Sequence, residues 1–173
     1  MAEFWLDLGA GMDAEHWVAS PATPGVRRVA LDPLVMSGMI ASGRLAPLPE
    51  SILRVGAEVR PQGSVEAGRE RAYLPFRDRS FAHVHCGFVL HLYLETLELL
   101  VSEVHRVLES GGTLDVLLPH FGDLHSERIL ERTEIELRLR FGNAALSRFG
   151  GPFTTFWADL YRDRTYRIHC LRD

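Results

Sequence analysis

The sequence predicts an α/β fold in which helices cover a mostly parallel sheet. Apolar stretches alternate with helix-like segments, and residues 81–119 have the pattern strand, helix, strand with short connections. That order buries a parallel sheet on both faces. The first apolar stretch runs into Asp7, Gly9 and Gly11, as a buried strand does where the backbone turns sharply beside a ligand. A chain of 173 residues, 46% of them hydrophobic, is expected to form a single domain over residues 1–173.

The composition excludes several classes of protein. No apolar run reaches the roughly 20 residues that cross a bilayer, and no basic segment precedes the first apolar stretch. We therefore expect a cytoplasmic protein without membrane insertion. The net charge of −4 provides no overall basic surface, so nucleic acid is not expected as a partner. Cys86 and Cys170 are too few for a disulfide framework; reduced thiols and a single bridge both fit.

The first two strands enclose a short crossover. Apolar residues up to Leu8 form the first strand, and residues 13–19 can form a helix that nearby prolines end early. The second strand, Val26–Leu31, is followed by Asp32, about 20 residues after the glycine turn, where an acid in nucleotide-binding sheets accepts hydrogen bonds from ribose hydroxyls. The alternative for Asp32 is a helix N-cap, and both roles can hold together.

The middle of the chain has a weak pattern first and a strong one later. Helices are predicted over residues 34–40 and 50–59, with a third strand near residues 64–68. Residues 81–88 are apolar and aromatic enough for a buried strand, and apolar residues then recur at helical spacing over 89–108.

A double glycine and the segment after it complete this core. Gly111 and Gly112 are predicted to end the preceding helix. Residues 113–118 form a further apolar strand that Pro119 closes.

Two interpretations compete in the segment after the fifth strand. Residues 126–132 have a helical pattern, whereas apolar and charged residues alternate over 133–141, which favours a strand. The alternative is a helix, because Glu134 and Arg138 have the spacing of a helical ion pair. Beyond this segment we predict a loop over 142–152, a short helix over 154–161 and a terminal strand over 165–171.

Four blocks stand out over residues 4–119: Leu6–Gly11, Val29–Asp32, Leu74–Phe81 and Glu103–Gly112. In order and spacing they resemble the class I S-adenosylmethionine-dependent methyltransferases, in particular the small type-11-like methyltransferase domains. Residues 120–173 form a variable segment outside the resemblance. The Leu-Pro-Phe of the third block has no special place in nicotinamide enzymes, although residues 9–14 also satisfy the G-x-G-x-x-A pattern of dinucleotide sites.

The resemblance implies a three-layer, Rossmann-like doubly wound sheet of about seven strands, mostly parallel with a reversed last strand. It also implies S-adenosylmethionine as cofactor, with these residues around it: Asp7, Gly9, Ala10, Gly11, Asp32, Glu70, Leu74, Cys86 and Gly87. The glycine turn and the end of the fourth strand would approach the methionine part, Asp32 the ribose, and Glu70 the adenine. Otherwise Glu70 is a solvated surface glutamate and Cys86 a small buried residue.

Two features depart from the family pattern. Asp13 replaces the usual third glycine and, if oriented inward, would repel the carboxylate of the cofactor. A branch of small methyltransferases carries Asn or Asp near this point. The chain also lacks the N-terminal helices that often close over the cofactor, so the pocket would be open or completed by another subunit, as in a homodimer.

Histidines are the candidate catalytic residues. Methyl transfer needs an aligned nucleophile more than a dedicated base, but a hydroxyl acceptor would be helped by a base that titrates near neutral pH. His91 follows the fourth strand and His120 the fifth, at the carboxyl edge where open α/β sheets bind ligands. Each can equally be structural or solvent-facing, and His125 is a weaker candidate.

No metal site is predicted. His83 and His85 share a face of the fourth strand while Cys86 points the other way, so a zinc site lacks two convergent ligands. Core packing or a dimer contact is favoured over an acceptor pocket for the late aromatic residues, which are Phe149, Phe153, Phe156, Trp157 and Tyr161. Nearby arginines leave an anionic acceptor open, with a solvated charged face as the simpler interpretation.

The leading hypothesis is S-adenosylmethionine-dependent methyl transfer to a small-molecule, sugar or lipid acceptor. The second is a methyltransferase-like subunit without catalysis that serves binding or assembly, suggested by Asp13 and the missing N-terminal helices. The third is an NAD-dependent oxidoreductase, suggested by the G-x-G-x-x-A match at residues 9–14.

Overall fold

A computed structural model of the chain describes residues 2–9, 23–31, 52–55, 74–149 and 164–173. Its centre is a sheet of seven strands: β1 (Glu3–Leu8), β2 (Val26–Leu31), β3 (Ile52–Val55), β4 (Phe81–Gly87), β5 (Leu108–Pro119), β6 (Ala145–Arg148) and β7 (Thr165–Leu171). Their order in the sheet is β3-β2-β1-β4-β5-β7-β6.

The sheet is parallel except at one strand. Strands β1 to β5 run in the same direction, and β7 is antiparallel to both of its neighbours, β5 and β6. This confirms the expected Rossmann-like α/β sheet with a reversed last strand. The bounds of β2 and β7 are those predicted, because β2 ends in the apolar run Val29–Leu31 and β7 alternates with a period of two.

The helices pack against alternate residues of the strands. After β4 the chain forms a 3₁₀-helix, Leu90–Thr96, that leads into α1, Leu97–Val107; after β5 it forms α2, Leu124–Phe141. The buried residues of these helices share one hydrophobic cluster with strand residues that include Leu6, Val84, Leu114 and Ile168. The intervening strand residues, which include His83, His85 and Asp115, point to the opposite face of the sheet.

Both edge strands differ from the prediction. The helix predicted over 50–59 is wrong, because Ile52–Val55 pairs in parallel with β2, and pairing overrides a weak local pattern. Residues 64–68, the predicted place of the third strand, lie outside the described residues. The loop predicted over 142–152 contains β6, a four-residue strand with every residue exposed, so its sequence has no buried face to reveal it. Residues 13–19, 34–40 and 154–161 also lie outside the described residues.

The strand favoured over residues 133–141 is wrong, and the alternative of a helix is confirmed. Leu137 and Phe141 are buried, but Ile135 and Leu139 are 50% and 77% exposed, so the apparent period of two combines two core residues with two surface residues. Arg138 pairs with Glu134 at 2.7 Å, as helical spacing predicts. Asp123 and Gly142 cap the helix: Asp123 accepts a hydrogen bond from the Ser126 amide at 2.7 Å, and Gly142 has a φ of 72°.

The double glycine does not end the preceding helix. Helix α1 ends at Val107, and Gly111 and Gly112 lie inside β5, where the pairing register with β4 shifts. The helix end is capped from a distance: Nη1 of Arg172 donates to the carbonyl of His105 at 2.6 Å, and also to that of Leu108. This guanidinium satisfies carbonyl groups that a glycine cap would otherwise serve.

Both cysteines are free and buried. Burial raises the pKa of the Cys170 thiol to about 12 and raises the pKa of Cys86 further. Both are therefore protonated at neutral pH, which agrees with reduced thiols rather than a bridge. In the described part of the chain, no helix has the length and apolar character needed to span a membrane.

Candidate active site

The glycine turn lies at the carboxyl edge of the sheet. Gly9, directly after β1, has a φ of 75°, a left-handed conformation that glycine adopts without a steric penalty. Its N–H group donates to the carbonyl of Leu31 at the end of β2, at 2.8 Å. The ends of β1 and β2 are thus joined at the point where the sequence predicts a ligand.

Val89 packs directly onto this turn. A Cβ atom at Gly9 would overlap Cγ2 of Val89, which is itself 7% exposed. The chain leaving β4 therefore closes over the chain leaving β1, and only glycine fits beneath it. No sequence pattern indicates this contact, since the two residues lie far apart along the chain.

Asp7 and Cys86 are buried next to the glycine turn. Asp7 is 2% exposed, and its strand neighbour in register is His85. Burial, and then the negative charge of Asp7, raise the pKa of the Cys86 thiol. A protonated, fully buried thiol is a packing residue rather than a nucleophile.

The end of β4 is also shaped by close contacts. A Cβ atom at Gly87 would lie 2.9 Å from Nε2 of His85, so a side chain at position 87 would displace the histidine ring. Phe88 has a φ of 57°, and its N–H group donates to the carbonyl of Leu117 on β5 at 2.9 Å. Gly9 and Gly87, both predicted site residues, thus lie at the same edge of the sheet.

The two candidate histidines follow the ends of β4 and β5. His91 lies in the 3₁₀-helix, where burial lowers its pKa; its Nδ1 is buried with no hydrogen-bond partner among the described residues. His120 donates its backbone N–H to Arg164 at 2.7 Å, and its ring meets Tyr166 edge to face with centroids 5.0 Å apart. His91 is neutral at pH 7 and able to accept a proton, whereas His120 is placed by its neighbours. His125 is exposed on α2.

Leu74 lies in a different environment from the glycine turn. Its side chain is fully buried in the hydrophobic cluster. Its N–H group donates to Oε2 of Glu103 at 2.9 Å, and its carbonyl accepts from Nη2 of Arg106 at 3.0 Å. The remaining predicted site residues, Ala10, Gly11, Asp32 and Glu70, and also Asp13, lie outside the described residues.

Arg106 is a residue whose role sequence reasoning missed. Besides Leu74, its guanidinium donates to the carbonyl of Phe76 at 2.8 Å, to Asp78 at 2.7 Å and to both oxygens of Glu103. The hydrogen bonds that Arg106 donates to Glu103, and then the one that it donates to Asp78, raise the pKa of Arg106 against the effect of its burial. Two of the sequence blocks that carried the resemblance, Leu74–Phe81 and Glu103–Gly112, are therefore bound to each other by this side chain.

A second polar cluster lies across the middle of the sheet. Asp115 accepts hydrogen bonds from Nε and Nη2 of Arg167 at 2.8 and 2.6 Å and contacts Nδ1 of His169 at 2.8 Å. Burial alone would raise the pKa of Asp115, but the bonds to Arg167 and His169 outweigh it, and the pKa is lowered. Arg167, one of the arginines near the late aromatic residues in the sequence, is thus bound to a carboxylate and is not available to an anionic acceptor.

His83 belongs to the same cluster. Its Nδ1 lies 2.7 Å from Oγ1 of Thr113, and its Nε2 lies 3.9 Å from Asp115. Burial lowers the pKa of His83, with the Asp115 carboxylate opposing that effect. No group of three metal-ligating side chains that could hold an ion occurs among the described residues.

Of the late aromatic residues, only Phe149 is described; its N–H group donates to the carbonyl of Thr165 at 2.9 Å.

Comparison with known proteins gives one family match and many structural matches. Residues 47–116, less than half of the chain, match the family model of a methyltransferase domain. None of the curated proteins matches the sequence significantly.

Solved structures share the fold at low identity. A chain from the complex of the Haloferax volcanii Trm112 methyltransferase activator has a TM-score of 0.66 and 19% identity, over 98% of this chain and 82% of that one. An S-adenosylmethionine-dependent methyltransferase from Aquifex aeolicus has a TM-score of 0.60 and 12% identity, over 99% and 83% of the two chains. An antibiotic-related methyltransferase has a TM-score of 0.65 and 16% identity, over 98% and 88%. The chain is therefore similar to a methyltransferase domain over residues 47–116, and it shares its overall fold with solved methyltransferase structures.

Proposed function

We propose that this protein transfers a methyl group from S-adenosylmethionine to a small-molecule, sugar or lipid acceptor. The observation that carries the proposal is the carboxyl edge of the sheet, where the left-handed Gly9 and the buried Asp7 lie beside the end of β4. Open α/β sheets bind their ligands at this edge. The proposal is a specific form of the methyltransferase assignment that the family match supports.

The residues at this edge fit the chemistry of the cofactor. The left-handed turn at Gly9 ends β1 at this edge, and the buried carboxylate of Asp7 suits a cofactor that carries a sulfonium and an ammonium group. When bound, the cofactor supplies an electrophilic methyl group. We propose that it is held by Asp7, Gly9, Ala10, Gly11, Cys86 and Gly87 at the methionine part, by Asp32 at the ribose, and by Glu70 on the adenine side. Leu74 is left out of this proposal, because its side chain is fully buried and its backbone groups are bound to Glu103 and Arg106.

His91 and His120 are proposed as acceptor-site residues. His91 is favoured as the base, because its lowered pKa keeps it neutral at pH 7 and its buried Nδ1 can accept a proton. His120 lies after β5 at the same edge and is proposed to orient the acceptor. Alignment of the acceptor with the methyl group supplies most of the acceleration in such a reaction, so each histidine adds to a site that positioning already favours.

Calorimetric titration tests the cofactor. We expect S-adenosylmethionine and S-adenosylhomocysteine to bind to the folded protein, and NAD, the control, not to bind. Selective binding of NAD would replace the proposal with the oxidoreductase hypothesis. Binding of the first two justifies an acceptor screen, in which His91→Asn is expected to reduce kcat more than it changes the affinity for S-adenosylhomocysteine.

A matched pair of variants tests the ribose contact. Asp32→Ala should weaken binding of S-adenosylhomocysteine by about 1–3 kcal/mol if buried hydrogen bonds to the ribose are lost. Glu131→Ala removes an exposed carboxylate of α2 and should leave the affinity unchanged. Equal affinities for the two folded variants would contradict the role of Asp32.

A binding or assembly subunit without catalysis is the second candidate. It is favoured by Asp13 in place of a glycine, and one structural match comes from a complex with a methyltransferase activator. If the wild-type protein binds neither cofactor form, Asp13→Gly should restore binding where charge repulsion is the cause. No binding by either protein would favour this second candidate, with a protein partner as the next ligand to seek.

A further inference from the structure

Phe88 has a backbone conformation that side chains normally avoid. Its φ of 57° is left-handed, and among the described non-glycine residues only Arg79 shares this feature. A left-handed conformation brings the Cβ atom close to the following carbonyl group, so it costs free energy in any residue except glycine. Such conformations persist only where neighbouring contacts enforce them, and they concentrate at functional sites.

The contacts on either side of Phe88 enforce its conformation. The N–H group of Phe88 donates to the carbonyl of Leu117 on β5 at 2.9 Å. One residue later, the side chain of Val89 packs onto Gly9 at the end of β1. Strand β4 lies between β1 and β5 in the sheet. The backbone of Phe88 is therefore bonded to β5, and the side chain of the next residue, Val89, covers the end of β1.

We propose that Phe88 is a positioning residue whose left-handed turn directs Val89 over the glycine turn. The effect of this arrangement on cofactor binding rests on the function proposed above. What matters at position 88 is then the backbone conformation that the residue accepts, because the turn decides where Val89 lies. The aromatic ring is secondary to this role.

The competing explanation is that the Phe88 ring itself makes the important contacts. The two explanations order the same substitutions in opposite ways. If the ring matters, Phe88→Val preserves more than Phe88→Gly, since valine retains apolar surface. If the turn matters, Phe88→Gly and Phe88→Asn preserve the site, because both residues tolerate a left-handed φ, whereas the β-branched valine resists it.

Arg79 provides the matched control. It has a left-handed φ of 52° in an exposed turn before β4, where its N–H group donates to the carbonyl of Arg106. Arg79→Gly and Arg79→Val change the same backbone preference away from the glycine turn. We expect both to leave the site unchanged.

Two measurements test the proposal. In NMR spectra of the ligand-free protein, the cross-peak between the Val89 methyl groups and the Gly9 α-protons should be present in wild type, Phe88→Gly and Phe88→Asn, and absent in Phe88→Val. In calorimetry on the folded fraction of each variant, Phe88→Gly and Phe88→Asn should bind S-adenosylhomocysteine within about threefold of wild type, and Phe88→Val at least about tenfold more weakly.

Two results would overturn the inference. If Phe88→Val retains the cross-peak, or if both Phe88→Gly and Phe88→Asn lose it, the turn does not place Val89. Wild-type protein with the expected cross-peaks but without cofactor binding refutes the proposed function and leaves the placement of Val89 supported. Cofactor binding by wild type with equal affinity in Phe88→Val refutes the effect on the cofactor and leaves the proposed function intact.

Discussion

At the amino edge of the sheet, arginine side chains hold the backbone, whereas at the carboxyl edge the absence of a side chain at Gly9 lets the side chain of Val89 pack against the backbone. Arg106 reaches the carbonyl groups of Leu74 and Phe76, and Arg172 reaches the carbonyl groups at the end of α1. At the opposite edge, Gly9 leaves room for Val89. The first edge is held by long side chains that carry charge, and the second by close approach.

The two edges of the sheet therefore contribute differently to the stability of the fold and to ligand binding. Charge-assisted hydrogen bonds to partly buried carbonyl groups stabilise the folded chain and leave those groups unavailable to a ligand. A glycine turn contributes little stability of its own but allows a ligand close to the backbone. Changes at the amino edge should therefore lower stability alone, and changes at the carboxyl edge should lower stability and binding together.

The largest effect is expected for Gly9→Ala. The added Cβ must accept a left-handed φ and overlaps Val89, which together should lower the free energy of unfolding by about 3 kcal/mol. Binding of S-adenosylhomocysteine should weaken in the same variant. Urea denaturation measures the first effect and calorimetry the second.

Val89→Ala sharpens this result. In the double variant with Gly9→Ala, part of the lost stability should return, because the overlap is removed and the two changes are not additive. Simple addition of the two single losses would show that Gly9 and Val89 do not share a contact.

Arg106→Met should come next. It removes hydrogen bonds to two carbonyl groups and leaves the mostly buried Glu103 without its ion-pair partner, at a cost of about 2–3 kcal/mol. Arg138→Met is the control, since its ion pair with Glu134 is exposed and worth less than about 0.5 kcal/mol. Urea denaturation measures the free energy of unfolding of both variants. Equal decreases would show that Arg106 stabilises the fold no more than an exposed ion pair on a helix does.

Arg172→Met should cost less, about 1–2 kcal/mol, because it uncaps one helix end without leaving a carboxylate unpaired. Hydrogen exchange locates the effect: amides in the last turn of α1 should lose protection before those of β4. Unchanged exchange at that turn would contradict the capping role of Arg172.

The smallest effect is expected for Asp115, which lies on β5 between the two edges of the sheet, and it concerns the pH dependence of stability. The lowered pKa of Asp115 means that its contribution is complete above its unfolded pKa of about 3.9 and is lost as the pH falls through the folded pKa. The difference in stability between wild type and Asp115→Asn, measured by melting curves, should therefore be constant above about pH 4 and shrink as the pH falls below it. A constant difference from pH 7 to pH 2 would show that the ionised form of Asp115 contributes nothing.

The parts of the fold that were predicted are those with a buried face. Continuous or alternating apolar residues marked β1, β2, β4 and β7, because burial restricts which residue types are acceptable there. The edge strand β6 is exposed throughout and carries no such restriction. Strand β3 has a buried residue, Ile52, but its four residues are too few to form a clear pattern. In α2, the exposed Ile135 and Leu139 imitated a strand pattern, since apolar residues on a surface follow no fixed period.

The candidate site was predicted only where its residues act locally. Gly9 predicted a turn, because a left-handed backbone conformation favours glycine. Its contact with Val89 depends on β1 and β4 being neighbours in the sheet, which a single sequence does not reveal. Arg106 was read as part of a family block, while its bonds to Leu74 and Phe76 span about 30 residues of chain.

The position of β7 in the sheet has a consequence for the order of assembly during synthesis. Strand β7 lies between β5 and β6, although it follows both in the chain, and Arg172 directly after it caps α1 across 67 residues of sequence. A ribosome therefore releases β6 before the strand that it pairs with, and α1 before its cap. The helical layer and β1 to β5 can collapse early, but β6 remains unpaired until β7 arrives, so closure of this half of the sheet is a late step that depends on contacts distant in sequence.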